Sequence, residues 1–213
     1  PLRGDGGLAA GRLLVVQDVT ERTREAEKLR ELEMELRRAN ASLEQRANVD
    51  PLTGLPRREN FLERLDEEFA RSRRYELELS LLVLDVDRFK AVNDGHGHRV
   101  GDQVLAAIAQ VMASQKRQTD FVGRLGGDEF GMLLTGTGLV GARDVADRLG
   151  SRTSDLRLPV SAGKELLVTL SIGVVTLEPP CKTSQDLLDR ADDAPFRAKN
   201  QGRNRVAAAE SCD

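Results

Sequence analysis

Two pairs of acidic residues are the groups of this 213-residue chain best placed to do chemistry. In the first pair, Asp128 and Glu129 directly follow Gly126-Gly127, and apolar runs on both sides of this segment are typical of a β-hairpin. A turn without Cβ atoms lets a bulky ligand approach the backbone, and acids at its edge can hold a divalent cation or take a proton. The hairpin is therefore predicted to bring a phosphate-bearing substrate together with a metal ion. The alternative is an exposed hairpin without chemistry.

The second acidic pair, Asp85 and Asp87, follows the apolar run 79–84, which is predicted to be a buried strand. Side chains at i and i+2 of an extended chain point to the same side, and ligands gather at the carboxyl ends of such strands. Two carboxylates this close repel each other unless a cation or proton lies between them, and Mg²⁺ is the expected cation. The alternative is a pair of solvated strand-end acids.

Further polar residues after this strand have the chemistry to bind a nucleotide. The loop after the strand offers backbone N–H groups to a phosphate, and Lys90 adds positive charge. Asn93 can form paired hydrogen bonds with a purine edge, and Asp102 can accept from the N1–H and amino groups of guanine. The residues thus predict a metal-dependent nucleotide site, but they leave the reaction open.

A mixture of helices and strands is predicted from residue 50 onward, and these elements must position the polar groups. The apolar patterns predict helices over 58–74, 100–115, 140–149 and 184–199, and strands over 79–84, within 166–177 and over 205–208, besides the hairpin. This order indicates an α/β or α+β fold in which helices flank a central sheet that includes antiparallel pairs.

The N-terminal part has a different pattern. Residues 1–20 contain one apolar run, too short to fold alone, and residues 21–49 are rich in Glu, Arg, Leu and Ala. Leucines recur every seven residues, at Leu29, Leu36 and Leu43. Leu32 and Ala39 fill the partner positions, and Arg46 breaks the repeat. The spacing predicts a coiled-coil helix. A single amphipathic helix packed on its own domain is the alternative.

Composition narrows the class of protein further. Lys and Arg total 32 against 35 Asp and Glu, so no broad electrostatic attraction to nucleic acid is expected. Two cysteines form neither a disulfide framework nor a metal-spacing motif, which favours a reducing cytoplasmic setting. No apolar run reaches the ~20 residues of a membrane span. Because the chain begins at Pro1, we expect a fragment of a longer protein, in which an upstream membrane segment remains open.

Several separated motifs resemble, in the same order, those of the GGDEF family of diguanylate cyclases. They are DPLTGLP at 50–56, DVDRFK at 85–90, ND at 93–94, GHRVGD at 97–102, RLGGDEF at 124–130, SIGV at 171–174 and AKNQGRNR at 198–205. The resemblance implies a palm-like fold with a mixed five-stranded sheet over residues 50–213. It also implies a reaction that condenses two GTP into cyclic di-GMP and two pyrophosphates.

The family's metal and catalytic roles fall on matching positions of this chain. The resemblance implies two Mg²⁺ or Mn²⁺ ions per active site, held by the side chains of Asp85 and Asp128 and the carbonyl of Val86. Asp128 would also take the proton of the ribose 3′-hydroxyl, with support from Glu129. Lys90 would stabilise charge on the transferring phosphorus.

The substrate-binding roles implied by the resemblance cover the rest of the site. The loop of Arg88, Phe89 and Lys90 would wrap the β- and γ-phosphates. The terminal phosphates would meet Lys199 and Arg203, the guanine would meet Asn93 and Asp102, and Gly126 and Gly127 would leave room for base and ribose.

The resemblance also implies partners and upstream domains. Each domain holds one GTP, so the product requires two sites facing each other in a homodimer, which the 21–49 signalling helix would hold together. The segment Asp18–Arg22 resembles the end of a PAS-type sensor, which would make residues 1–20 its remnant.

A second site, for inhibition by the product, is implied by Arg117 and Asp120, whose spacing resembles the RxxD motif. Arg148 and Arg124 would assist, because arginine pairs bidentately with phosphate and stacks on guanine. The alternative is a solvated helix end.

Three departures from the family pattern stand at Arg57, His96 and Pro195-Phe196. A proline inside a helix removes one hydrogen bond, and this one precedes Lys199 by about one turn. It predicts weaker phosphate binding without loss of catalysis, so that Pro195→Leu would change the KM for GTP. Two other functions stay open: an inactive domain that senses GTP or cyclic di-GMP, and an adenylyl-type cyclase that uses one nucleotide.

Overall fold

The computed structural model describes residues 48–160, 164–178 and 181–208, together with Lys28, Arg30, Glu33 and Met34. These four residues are helical. The predicted strand within 1–20 and the heptad leucines lie outside the described residues. The sensor remnant and the coiled coil therefore stay predictions.

The elements follow one another in the mixed order that the sequence predicts. The helices are α1 (Arg58–Tyr75), α2 (Phe89–His96), α3 (His98–Gln115), α4 (Leu139–Ser154) and α5 (Ser184–Asn200). The strands are β1 (Leu79–Val86), β2 (Phe121–Gly126), β3 (Glu129–Thr135), β4 (Leu158–Pro159), β5 (Glu165–Leu166), β6 (Leu170–Thr176) and β7 (Arg205–Ala208). None of the helices in the described part of the chain is long and apolar enough to cross a membrane.

The central sheet is five-stranded and mixed, in the order β2-β3-β1-β6-β7. Strand β1 pairs antiparallel with both β3 and β6, whereas β7 runs parallel to β6. The short strands β4 and β5 form a separate hairpin. The predicted fold class, a mixed five-stranded sheet flanked by helices, is confirmed.

Two apolar cores lie on the two faces of this sheet, and β1 contributes to both. Its Leu82 and Leu84 pack with residues of α3 and α4, while Leu81 and Val83 pack with residues of α1 and α5. Alternating side chains of one strand face opposite ways, so a strand buried on both faces reads as a continuous apolar run. All of β1 is buried, and this rigid strand carries the acidic residues to its carboxyl end.

One element differs from the expectation of a loop after β1. Residues 89–96 form α2, whose first core contacts are the partly buried Phe89 and the buried Val92. The segment is short and contains Gly95, so its two apolar anchors give too little periodicity to predict a helix. The consequence is that the polar residues of this segment stand on a rigid element.

Candidate active site

The two acidic segments meet at one edge of the sheet. The pairing of β1 with β3 sets Asp85 directly opposite Glu129. One step further, the N–H of Val86 donates to the carbonyl oxygen of Asp128, at 3.2 Å. Residues more than forty positions apart in sequence are thus neighbours because β1 and the β2–β3 hairpin share a ladder.

Asp85 is the buried acid of this cluster, and it faces a lysine from α5. The Nζ atom of Lys199 lies 2.6 Å from Oδ2 of Asp85. Burial raises the pKa of Asp85, the ammonium of Lys199 opposes this shift, and the charges of Asp128 and Glu129 add to it. The other carboxylate oxygen, Oδ1, is buried and has no hydrogen-bond partner among the described residues. The site therefore concentrates negative charge beside an unsatisfied acceptor.

This donor set fits a divalent cation shared with a substrate. The unpaired Oδ1 of Asp85 and the carboxylate of Asp128 offer hard oxygen ligands of the kind that Mg²⁺ takes. The ammonium group of Lys199, in contact with Asp85, shows that a positive charge is stabilised at this position. Within the described ranges no group of three or more His, Cys, Asp or Glu side chains is arranged to hold a metal. A cation here would complete its coordination with water, backbone or substrate phosphate oxygens.

Asp87 has a structural role and does not share a cation with Asp85, contrary to the expectation from their spacing. Its Oδ1 accepts from the hydroxyl of Ser171 at 2.6 Å, and its Oδ2 accepts from the hydroxyl of Thr169 at 2.6 Å and the N–H of Asn204 at 2.9 Å. Asp87 is also buried. Both oxygens are thus occupied, and the carboxylate ties the turn after α5 to β6.

The residues predicted to bind phosphate lie on α2 and in the turn after α5, on either side of Asp87. Arg88 stands at the start of α2 with a left-handed backbone, φ 57°, and Lys90 is exposed one helical position after Phe89. Arg203, also left-handed at φ 65°, borders a cavity of about 410 Å³ together with Arg88 and Asp87. The structure therefore groups Arg203 with Arg88, while Lys199 lies with Asp85.

The residues predicted to recognise guanine lie where α2 meets α3. Asn93 is half-buried on α2, and Asp102 is exposed in the second turn of α3. Oδ1 of Asn93 is buried without a hydrogen-bond partner among the described residues. A buried amide oxygen without a hydrogen-bond partner is uncommon and calls for a structural reason.

The hairpin tip is held by a contact that the sequence did not reveal. Arg124 donates to the carbonyl oxygen of Gly127 at 2.7 Å and to Oδ1 of Asp50 at 2.9 Å. Gly127 has φ 43° and Gly126 has φ 157°, a conformation that favours glycine. The guanidinium of Arg124 is thus engaged within the domain, and its expected assistance at an inhibitory site stays a prediction.

Arg117 and Arg148, both predicted to bind the product, are exposed and lie on neighbouring elements that are distant in sequence. Arg148 of α4 donates from Nε to Gln115 at 3.0 Å, and Gln115 ends α3 two residues before Arg117. Asp120 is buried, and its Oδ2 accepts from the N–H of Arg117 at 2.8 Å. The aspartate thus shapes the loop that presents Arg117.

Asp192 is a further acid near the site that the sequence did not single out. It lies on α5, two helical turns before Lys199, and partial burial together with the charge of Glu129 raises its pKa, which Arg58 opposes. The signal available in the sequence was the seven-residue spacing to Lys199, which places both residues on one helix face.

Fold and site together define an α+β domain whose acidic Gly-Gly hairpin adjoins the end of a buried strand. A crystal structure of the coiled coil and GGDEF domain of DgcB from Caulobacter crescentus, in complex with c-di-GMP, superposes with a TM-score of 0.81 at 30% identity, over 89% of this chain and 100% of that one. The DgcB GGDEF domain alone gives 0.74 at 34% identity, over 78% and 94%.

Sequence comparison agrees with this likeness. The family described as "Diguanylate cyclase, GGDEF domain" matches residues 47–205. The diguanylate cyclase DgcP of Pseudomonas aeruginosa is 40% identical over 187 residues, 86% of this chain and 27% of that protein. For DgcM of Escherichia coli the identity is 38% over 197 residues, 92% and 43%. The chain belongs to the diguanylate cyclase GGDEF family, and it spans less than half the length of these two relatives.

Proposed function

We propose that this chain is a diguanylate cyclase that condenses two GTP into cyclic di-GMP and two pyrophosphates. In each half-reaction the 3′-oxygen of one GTP forms a bond to the α-phosphorus of the other. The bond from that phosphorus to the bridging oxygen breaks, and pyrophosphate leaves with the electron pair. The observation that carries the proposal is the buried carboxylate of Asp85, with one free oxygen, placed against Lys199 and the Asp128-Glu129 pair.

The roles of the side chains follow from this arrangement. Asp128 lies at the hairpin tip, where it can accept the proton of the attacking hydroxyl, and Glu129 adds negative charge beside it. Lys199 and Lys90 place positive charge where the phosphates would lie. Asn93 and Asp102 offer acceptors and donors to the base from the α2–α3 junction. Most of the catalysis would come from positioning and charge stabilisation.

A divalent cation fits Asp85 and Asp128, with the carbonyl of Val86, which follows Asp85 in the chain and whose N–H donates to the carbonyl oxygen of Asp128. Mg²⁺ or Mn²⁺, two per site as the family resemblance implies, would supply charge neutralisation at the α-phosphate and a lower pKa for the attacking hydroxyl.

Incubation of the purified chain with GTP and Mg²⁺, followed by chromatography, tests the proposal. We expect cyclic di-GMP and pyrophosphate, and we expect Asp128→Ala to lower the rate by about 10²–10⁴-fold because the proton acceptor is lost. Asp144→Ala is the matched control, since this aspartate is exposed on α4. Substantial product from Asp128→Ala would remove Asp128 from the mechanism.

The same assay, together with an equilibrium-binding measurement for GTP, separates the competing functions. Binding of GTP without product would indicate the inactive sensor. Turnover of ATP at a rate similar to that of GTP would indicate the adenylyl-type reaction.

We also propose that cyclic di-GMP inhibits the enzyme at Arg117, Asp120 and Arg148. Two exposed guanidinium groups, presented by the loop before β2 and by α4, suit a ligand with two phosphates and two guanines. Arg117→Ala should raise the half-inhibitory concentration of added cyclic di-GMP at least ~10-fold, since a charged hydrogen bond contributes about 1.5–3 kcal/mol. Arg152→Ala, one turn after Arg148 on α4, is the control. Unchanged inhibition of the Arg117 variant would contradict this site.

A further inference from the structure

Gly101 lies in the first turns of α3 at its contact with α2, and a side chain there would collide with Asn93. A Cβ atom at Gly101 would overlap Oδ1 of Asn93 and would lie 3.2 Å from Cζ of Phe89. The glycine is buried, and its φ is not in the left-handed region. Glycine is a poor helix former and the backbone does not need it here, so its role is steric.

The atom that occupies the space beside Gly101 belongs to Asn93, a residue assigned to the base. Oδ1 of Asn93 is buried against α3 and has no hydrogen-bond partner among the described residues. The amide of Asn93 therefore packs directly against the backbone of Gly101. Asp102, the other residue assigned to the base, follows directly on the same helix. Gly101 thus contacts the side chain of Asn93 and directly precedes Asp102, so it adjoins both residues assigned to the base.

We propose that Gly101 is a positioning residue for nucleobase recognition. Because Gly101 has no side chain, the amide of Asn93 packs against its backbone, and this contact holds the amide in the orientation that reads guanine. The inference rests on the proposed function and adds a residue that does not touch the base. Because a Cβ would collide with the end of a rotatable side chain, substitution displaces the amide of Asn93 and leaves the helices packed.

The expected effect of Gly101→Ala is on binding and not on folding. The dissociation constant for 3′-deoxy-GTP, which lacks the attacking hydroxyl and cannot react, should rise at least ~10-fold, equal to about 1.4 kcal/mol. The preference for 3′-deoxy-GTP over 3′-deoxy-ATP should fall, kcat for GTP should change less than KM, and the melting temperature should not decrease. Gly95→Ala is the matched control, because this glycine of α2 has no atom within 4 Å of an added Cβ.

A double-mutant cycle separates this role from a general packing effect. Asn93→Ala should itself weaken 3′-deoxy-GTP binding, and adding Gly101→Ala to it should change binding less than twofold, because the colliding Oδ1 atom is gone. Normal binding by Gly101→Ala, or an equally large effect in the Asn93→Ala background, would overturn the inference while Asn93 keeps its assignment. Unchanged binding by Asn93→Ala would overturn the guanine assignment together with the inference.

Discussion

Individual acids at this site differ in function because of their partners, not because of their position in the sequence. Asp85 and Asp87 stand two residues apart at the end of one strand. Asp87 is hydrogen-bonded through both oxygens, whereas Asp85 keeps one oxygen free and has a pKa raised by burial. A saturated carboxylate supports the structure, and an unsaturated one is available to a ligand.

At the residue scale, Asp50 gives a stability prediction with a defined pH dependence. Burial raises the pKa of Asp50, but hydrogen bonds from Thr53 and Arg124 outweigh burial, and the net pKa is lowered from 3.8. A lowered pKa means that the stabilisation is present above the unfolded value and is lost as pH falls through the folded value. Asp50→Ala should therefore lower the free energy of unfolding by about 2 kcal/mol near neutral pH.

Urea unfolding of the wild type and the variant at a series of pH values measures this effect. The difference between them should shrink as the pH is lowered from about 5 through the lowered pKa of Asp50, with Asp144→Ala as an exposed control that shows little difference. A difference that grows at low pH would contradict the assigned role of Asp50 in holding Arg124 and the hairpin.

At the scale of elements, α5 shows how a departure in sequence is accommodated. Pro195 lies inside a helix that runs unbroken from Ser184 to Asn200, and its ring packs on β6 at Gly173. The Nζ atom of Lys199 still reaches Asp85 at 2.6 Å. The expected change of KM in Pro195→Leu stays a prediction.

Gly173 yields a sharper test of the contact between α5 and the sheet. A Cβ there would lie 2.5 Å from Cδ of Pro195 and 2.8 Å from the carbonyl oxygen of Ala191, which is rigid helix backbone. Gly173→Ala should lower the free energy of unfolding by about 1–3 kcal/mol through overpacking. It should also lower kcat/KM for GTP, because α5 carries Lys199.

The control variant, Gly150→Ala, is expected to change the free energy of unfolding in the opposite direction. At Gly150 of α4 the nearest atom to an added Cβ is 3.9 Å away, so Gly150→Ala should stabilise by about 0.5–1 kcal/mol and leave kcat/KM unchanged. Denaturant unfolding and GTP kinetics of both variants check the pair. Equal changes in the free energy of unfolding for Gly173→Ala and Gly150→Ala would contradict the close packing of α5 on β6.

How far the sequence predicts each element depends on the range of its determinants. The helix α1 and the strand β1 lie within two residues of their predicted bounds, because periodic apolar residues specify them locally. The contacts of Asp87 with Ser171 and of Arg124 with Asp50 join residues more than seventy positions apart, and no local pattern encodes them. The approach of Gly101 to Asn93 likewise requires the packed helices.

At the scale of the whole molecule, the described domain builds one acidic site at one sheet edge. A product made from two GTP molecules needs two 3′-hydroxyls and two α-phosphates. In the proposed reaction one such site would align one nucleotide, so two copies would have to face each other to form the cyclic product. The predicted helix over 21–49 would supply the second copy at high effective concentration.

Truncation tests this requirement. Residues 47–213 alone should show a specific activity that rises steeply with protein concentration, because the rate then depends on the encounter of two copies. The whole chain should reach its plateau at a concentration at least ~100-fold lower, since tethering replaces encounter. Fusing residues 47–213 to an unrelated parallel dimeric coiled coil should restore activity at low concentration. Equal specific activity of the truncated and whole chains at nanomolar concentration would show that the helix does not bring the sites together.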